Sequence, residues 1–170
     1  MNNNFTDALL SDVPHSTIPQ ENRIFEPFIG SWKLVVSWFD EDGQLDRQMP
    51  GEWHFARVLE GRAIQDVWIT PSRQEQNGQG EYGTSLRFYD SDINAWRSTW
   101  IGPINGVIYT FIARRVDDRV ILETTDDMPL KMRWAFSNIS SNSFRWSNEV
   151  WQNERWRIQQ AFDAQRAPSV

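Results

Sequence analysis

Residues 30–55 read GSWKLVVSWFDEDGQLDRQMPGEWHF, and this stretch predicts an antiparallel β-hairpin. Asp42-Gly43 is a dipeptide that two-residue hairpin turns favour, because their central positions take positive φ. With the turn placed there, Trp32 lies opposite Trp53. Side chains alternate between the two faces of a strand, so one face of the hairpin collects the large apolar residues. That face consists of Trp32, Leu34, Val36, Trp38, Met49, Trp53 and Phe55.

The same face continues into the next strand. A tight turn at residues 60–61 pairs Trp53 with Trp68 and Phe55 with Asp66. Because pairing partners in an antiparallel ladder point to the same side, charged residues join the aromatic face here. The charged members of this face are Arg57 and Asp66.

The middle of the chain repeats this pattern. A turn at residues 105–106 pairs Trp100 with Phe111 and extends an aromatic face over two further strands. The lengths of the loops over 71–81 and 91–95 decide whether Arg87 and Tyr89 belong to it. If the loop over 91–94 contributes an even number of residues, Tyr89 lies beside Trp96 and Arg87 lies beside Ser98.

The last two hairpins are predicted to pair Glu149 with both Trp134 and Trp156. This register puts Trp151 on the aromatic face and leaves Trp146 on the opposite face. Three separate runs of hairpins therefore give one face dominated by Trp and Phe. We interpret this face as the inside of a closed sheet.

Ten short apolar stretches with period-2 alternation follow one another between residues 32 and 163. A sheet of ten sequential strands usually curls or closes, and closure removes its exposed edges. We therefore predict an all-β fold: a single up-and-down antiparallel β-barrel of about ten strands. The predicted organisation is an arm over 1–23, the barrel over 24–166 and a tail over 167–170.

Composition limits the function classes. The chain has 170 residues with 17 Lys and Arg against 23 Asp and Glu, so its net charge is −6. An acidic surface repels phosphate backbones, and we expect no nucleic acid as partner. The absence of cysteine excludes disulfides, thiolate metal sites and a cysteine nucleophile. No apolar stretch approaches the roughly 18 residues that span a bilayer, so we expect a cytoplasmic protein that does not bind a membrane.

The predicted interior is aromatic and contains a few polar side chains. Buried charges need partners, and Asp66 with Arg57 or Arg87, and Glu149 with Arg145, are candidate pairs. Apolar walls with a few convergent polar groups are typical of small-molecule pockets. The predicted ligand-binding residues are Trp38, Trp53, Phe55, Arg57, Trp68, Arg87, Tyr89, Trp96, Ser98, Trp100, Tyr109, Phe111, Trp134, Arg145 and Trp151.

The tripeptide Gly30-Ser31-Trp32, at the start of the first strand, resembles the Gly-x-Trp signature of lipocalins and the broader calycin group. Over roughly residues 25–166 the chain is similar to uncharacterised bacterial calycin-like proteins of the DUF1579 type. The stretches that carry this similarity are LEGRAIQDVW at 59–68, RFYD at 87–90 and WAF at 134–136.

The resemblance implies a barrel closed at one end by Trp32. Lipocalins commonly hold an arginine over this tryptophan, and Arg166, followed by Arg157, is the positional candidate. The resemblance implies no catalytic residues.

Metal and cofactor chemistry are not expected. The only histidines are His15, in the arm, and His54, which the predicted register points outward. A haem ligand, a Ser–His–Asp arrangement and the three or four ligands of a zinc site therefore lack suitable histidines. We predict no bound metal and no cofactor.

Three functions stay open. The first is binding of a small, largely apolar or aromatic molecule in an aromatic-lined cavity. The second is a cofactor-independent isomerase or cyclase in the same cavity, in which Asp66 or Glu149 acts as acid or base and Arg87 and Tyr89 orient the substrate. Aromatic walls raise the pKa of such a carboxyl, and a nearby arginine lowers it. The third is a structural module with a packed interior, or a homodimer formed through an outer strip of Trp146, Phe144, Met132 and Ile121.

Overall fold

The computed structural model describes residues 4–77 and 79–168. The first three residues of the predicted arm, Gly78 in the predicted loop over 71–81, and the last two residues of the predicted tail lie outside the described residues.

Ten β-strands dominate the described chain. A short helix, α1 (Asn4–Leu9), precedes them, and single 3-10 turns occur at Gln20–Asn22, Glu26–Phe28 and Arg73–Glu75. None of the described helices is long and apolar enough to cross a membrane. The strands are β1 (Gly30–Phe39), β2 (Leu45–Val58), β3 (Ala63–Thr70), β4 (Glu81–Asp90), β5 (Ala95–Gly102), β6 (Val107–Val116), β7 (Arg119–Thr124), β8 (Met132–Ser137), β9 (Ser143–Gln152) and β10 (Arg155–Arg166).

The strands form one closed antiparallel barrel in which each strand pairs with its neighbours in sequence. The barrel closes where β1 pairs with β10, for example through Val36 opposite Phe162. Closure leaves no sheet edge exposed to a second chain. The predicted all-β, up-and-down barrel of about ten strands is confirmed.

The register of the first strands follows the turns that the sequence predicts. Trp32 lies opposite Trp53, and Trp53 lies opposite Trp68. Arg87 lies opposite Ser98, as an even-numbered loop requires. In the next hairpin, Trp100 pairs with Tyr109 rather than with Phe111. This two-residue shift leaves every side chain on the predicted face, because the period of a strand is two.

The predicted register of β8 and β9 is wrong by one residue. Trp134 pairs with Asn148, not with Glu149. A one-residue slip moves all side chains of a strand to the other face. Trp146 is therefore buried inside the barrel with 3% exposure, and Trp151 is outside with 41% exposure.

The same slip corrects several other predictions. Arg145 and Glu149 point outward, where they form ion pairs with Asp163 and Arg133. The four residues predicted to form an outer strip for a homodimer are buried, so they present no exposed surface to a second chain. These are Trp146, Phe144, Met132 and Ile121.

A β-bulge between Ile158 and Gln160 corrects the facing of the last strand. Before the bulge, Trp156 pairs with Trp151 on the outer face. The extra residue reverses the alternation, so Phe162 enters the interior opposite Trp146.

The chain before β1 closes one end of the barrel. Phe25 and Phe28 are fully buried, and the Phe28 ring lies 4.4 Å from that of Phe136. The indole of Trp32 donates to the carbonyl of Phe28 at 2.7 Å. The guanidinium of Arg166 lies 4.1 Å from the Trp32 ring centre, at the position expected from the lipocalin resemblance.

Candidate functional site

A charged pair lies among the aromatic side chains of the interior, beside Phe25 at the closed end. Asp66 on β3 and Arg87 on β4 form an ion pair of 2.5 Å, and their side chains are 0% and 1% exposed. The second carboxylate oxygen of Asp66 accepts a hydrogen bond from the backbone N–H of Ser85 at 3.0 Å. Both carboxylate oxygens are therefore engaged by β4, and the pair is neutral as a unit.

Arg87 keeps unused donors. Its guanidinium lies 4.8 Å from the ring centre of Phe25 and 5.6 Å from that of Phe55. These ring faces attract the cation but accept no conventional hydrogen bond. Among the described residues, no group accepts a hydrogen bond from its Nε and Nη1 atoms.

Other buried polar groups also lack a hydrogen-bond partner among the described residues. The hydroxyls of Ser85 and Ser98 and the amide oxygen of Asn148 have no partner. Buried polar groups in folded proteins nearly always have one, and an unmade bond costs about 1–3 kcal/mol. Four indole N–H groups share this property, those of Trp53, Trp68, Trp134 and Trp146. Apart from the Asn148 oxygen, which is an acceptor, these unpaired groups can all donate, so the interior has more unused hydrogen-bond donors than unused acceptors.

The aromatic walls pack ring against ring. The Trp146 and Phe162 rings stack with centres 4.2 Å apart, and Trp68 stacks on the other side of Phe162 at 5.6 Å. Trp53 lies 5.5 Å from Phe136 in the next layer toward the closed end. The predicted aromatic interior thus consists largely of contacting rings.

Trp100 lies across the end of the barrel opposite Phe25. Its ring is in edge contact with Trp68 at 6.1 Å and with Trp134 at 5.8 Å. Gly83 makes room for it, because a Cβ there would lie 2.1 Å from Trp100 Cη2. The side chains around this end are half-buried, and they are Trp38, Met49, Trp100, Tyr109, Thr124 and Gln160.

The structure brings most of the predicted site residues together. The buried members are Trp53, Phe55, Asp66, Trp68, Arg87, Trp96, Ser98, Phe111 and Trp134. Trp38, Trp100 and Tyr109 lie at the half-buried end. Tyr89 is half-buried near the closed end, and its hydroxyl donates to Asn94 at 2.8 Å.

Other predicted site residues lie elsewhere. Arg57 is at the rim of the closed end and pairs with Glu26 at 2.5 Å, not with Asp66. The reason is local, because the 3-10 turn at Glu26–Phe28 carries this carboxylate to the rim. The register slip moves the remaining three, Arg145, Glu149 and Trp151, to the outer face.

Sequence reasoning missed at least three interior residues, and Asn148 is one of them because it lies on the same slipped strand as Trp146. Trp146 was assigned to the outside, although the alternation of apolar Phe144 and Trp146 with polar Arg145 favours the observed facing. Ser85 was not singled out, although its position two residues before Arg87 places it on the same face. Within the described ranges, no group of three or more His, Asp or Glu side chains is arranged to hold a metal ion.

No model of a known protein family and no curated protein sequence matches this chain. Solved structures similar to it include the following two. The S-type phycobiliprotein lyase CpeS of Guillardia theta has a TM-score of 0.58 and 13% identity, over 89% of this chain and 100% of the lyase. Rv2717c of M. tuberculosis has a TM-score of 0.58 and 12% identity, over 89% of this chain and 99% of its own. These likenesses support the lipocalin-like barrel fold, while the DUF1579 resemblance stays a prediction.

Proposed function

We propose that this chain binds, inside its barrel, a small and largely apolar or aromatic molecule that carries an oxygen acceptor. The observation that supports the proposal is the set of buried donors without an acceptor in the protein. Apolar walls supply affinity through buried area, and a few directed polar groups supply orientation. The phycobiliprotein lyase of similar fold is compatible with this use of the barrel.

The polar end of the ligand is assigned to Arg87. Asp66 engages one nitrogen of the guanidinium, which leaves Nε and Nη1 to donate to a carboxylate or carbonyl oxygen. Ser98 lies directly opposite Arg87 in the β4–β5 register and offers a third donor. A buried arginine donating to an oxygen anion makes hydrogen bonds about twice as strong as neutral ones.

Access is assigned to the half-buried end at Trp100. The closed end is blocked by Phe25 and Phe28, both without exposed surface. A ligand that enters from the other end must displace the Trp100 ring from Gly83. Side-chain and loop motions at such openings are fast compared with ligand binding.

The competing functions differ in what they require of these residues. An acid–base enzyme needs Asp66 or Glu149 free to exchange a proton in the cavity, whereas Asp66 is engaged by Arg87 and the Ser85 backbone and Glu149 is paired with Arg133 on the outside. A packed structural module needs no ligand, and the ring contacts suit it. Ligand binding is favoured because a packed core gains nothing from unpaired donors.

Two naphthalene dyes test the proposal. Anilinonaphthalene sulfonate has an aromatic body and an anionic oxygen group, whereas N-phenyl-1-naphthylamine has the same body without that group. We expect energy transfer from tryptophan to the bound dye and tighter binding of the sulfonate by about tenfold, equivalent to about 1.4 kcal/mol. Failure of both dyes to bind would favour the packed module.

Ser98→Ala separates a ligand donor from a structural hydroxyl. Removing a buried hydroxyl without a partner should raise the free energy of unfolding of the ligand-free protein by about 1 kcal/mol. The same variant should bind the sulfonate more weakly, by a few-fold. Ser147→Ala, on the outer face of β9, is the matched control and should change neither quantity. Unchanged sulfonate binding by the Ser98 variant would contradict the assignment.

A further inference from the structure

A second concave site lies outside the barrel. The outer face of β1 and β2, the 3-10 turn at Arg73–Glu75 and the residues after β10 enclose a cleft of about 1080 Å³. The polar and charged side chains on its walls include Ser31, Lys33, Glu52, His54, Arg73 and Glu75. None of them takes part in the proposed interior binding site, so this site is independent of that function.

A chain of hydrogen bonds runs along this wall. Ser31 on β1 lies directly opposite His54 on β2, and Glu52 is on the same face two residues away. Ser31 Oγ is 2.9 Å from His54 Nδ1, and His54 Nε2 is 2.9 Å from Glu52 Oε2. A hydroxyl, an imidazole and a carboxylate are thus connected in that order.

The carboxylate decides which imidazole nitrogen carries the proton. Burial alone would raise the pKa of Glu52, but hydrogen bonds from the side chain and backbone of Arg73 and from His54 outweigh it and lower that pKa to about 2. An ionised carboxylate only accepts hydrogen bonds, so His54 donates from Nε2. Its Nδ1 is then the acceptor, and the Ser31 hydroxyl donates to it.

Glu52 is itself held in place. Arg73 donates to Glu52 Oε2 from Nε at 3.1 Å and from Nη2 at 2.8 Å, and its backbone N–H donates to Oε1 at 2.5 Å. Arg73 Nη2 also lies 3.4 Å from His54 Nε2. A nucleophile, a base within hydrogen-bond reach and a third group that orients the base are the signature of covalent catalysis.

We propose that Ser31, His54 and Glu52 form a nucleophilic site that hydrolyses carboxylic esters in this outer cleft. Ser31 Oγ attacks the ester carbonyl carbon while its proton passes to His54 Nδ1. The carbonyl π electrons move onto oxygen, and Lys33 and Arg73, both on the cleft wall, supply positive charge for this oxyanion.

The remaining steps release the alcohol, hydrolyse the acyl-serine ester and regenerate Ser31. The tetrahedral intermediate collapses, the C–O bond to the alcohol breaks, and the alkoxide takes the proton from His54. Water then attacks the acyl-serine ester and gives its proton to His54. The acid leaves as Ser31 regains that proton, and the net reaction is ester plus water to acid plus alcohol. Glu52 stays ionised throughout and holds the imidazolium by charge and hydrogen bond.

Hydrolysis of p-nitrophenyl butyrate and labelling by a fluorophosphonate test this proposal on the full chain. We expect the phosphonate on Ser31, located by peptide mass spectrometry, and an ester hydrolysis rate that falls about 100-fold in Ser31→Ala and in His54→Ala. Glu52→Gln should fall less, because the imidazole keeps a hydrogen-bond partner. Circular dichroism and a thermal melt verify that each variant is folded.

Ser37→Ala is the matched control, because Ser37 is on the same face of β1 and accepts a hydrogen bond from Gln48 instead of facing a histidine. It should keep the wild-type rate and the label on Ser31. The proposal is overturned if the wild-type chain neither hydrolyses the ester nor takes the label. It is equally overturned if Ser31→Ala hydrolyses the ester as fast as Ser37→Ala. Loss of dye binding in the interior does not affect these outcomes.

Discussion

Two arginine–carboxylate pairs, one inside the barrel and one on its outer face, show how burial changes the role of the same chemistry. Asp66 and Arg87, inside the barrel, are 0% and 1% exposed, whereas Glu52 is 15% and Arg73 58% exposed on the outside. The inner pair is joined by one guanidinium hydrogen bond and leaves two Arg87 donors unused. The outer pair is joined by three hydrogen bonds from Arg73.

The difference in burial predicts which of the two ion pairs the folded chain needs for its stability. Charges taken out of water depend wholly on each other, because no solvent replaces a lost partner. An exposed guanidinium returns to water when its partner is removed. We therefore expect the inner pair to control stability and the outer pair to control the local geometry of the cleft.

The largest effect is expected for Arg87→Met. This change leaves the Asp66 carboxylate buried without a counter-charge, and it should lower the free energy of unfolding by about 3–5 kcal/mol. The matched outer variant, Arg73→Met, should lower it by about 0.2–1 kcal/mol. Urea unfolding followed by tryptophan emission measures both. Equal losses would show that the two pairs do not differ as their burial suggests.

A double variant distinguishes breaking the inner pair from removing it. Asp66→Asn combined with Arg87→Met removes both charges, and the remaining amide oxygen still accepts from the Ser85 backbone N–H. We expect it to be more stable than Arg87→Met alone by at least about 1 kcal/mol, because no lone buried charge remains. The same urea titration measures the difference. A double variant less stable than the single one would contradict this account of the inner pair.

The contrast between the two pairs also separates what the sequence predicts from what it does not. The inner pair follows from register only in part. The tight turn at 60–61 places Asp66 on the interior face of β3, but the longer loop over 71–81 joins β3 to β4 and leaves the facing of Arg87 open. The outer pair depends on Arg73 folding back from the loop after β3. No periodicity describes such a loop. The register does place Ser31 opposite His54, but only the observed side-chain geometry connects them to Glu52.

The wrong register predicted for β8 and β9 also comes from a loop whose geometry the sequence pattern does not describe. The connection over 138–142 has five residues and no two-residue turn to set its parity. The alternation of Phe144, Trp146 and Val150 with Arg145 and Glu149 carries the correct facing. Where turn chemistry is weak, the hydrophobic period is therefore the better guide to the facing of a strand.

The smallest effect is expected for acid titration of the outer pair. The pKa of Glu52 in the folded chain, about 2, lies below its ordinary value of 4.5. A lowered folded-state pKa adds stability that is complete above about 4.5 and is lost as the pH falls toward about 2. Protonated Glu52 no longer pairs with Arg73, and we expect this to cost about 1 kcal/mol across that window, since the pair is solvent-accessible on one side.

Glu52→Gln isolates this contribution from that of the other carboxylates. The stability difference between the wild type and Glu52→Gln, measured by urea unfolding at several pH values, should shrink between about pH 4.5 and 2 because protonated Glu52 resembles glutamine. Glu75→Gln removes an exposed carboxylate from the same 3-10 turn and is the matched control for the loss of one negative charge. A difference for Glu52→Gln that stays constant to pH 2 would mean that Arg73 does not stabilise the folded chain through this carboxylate.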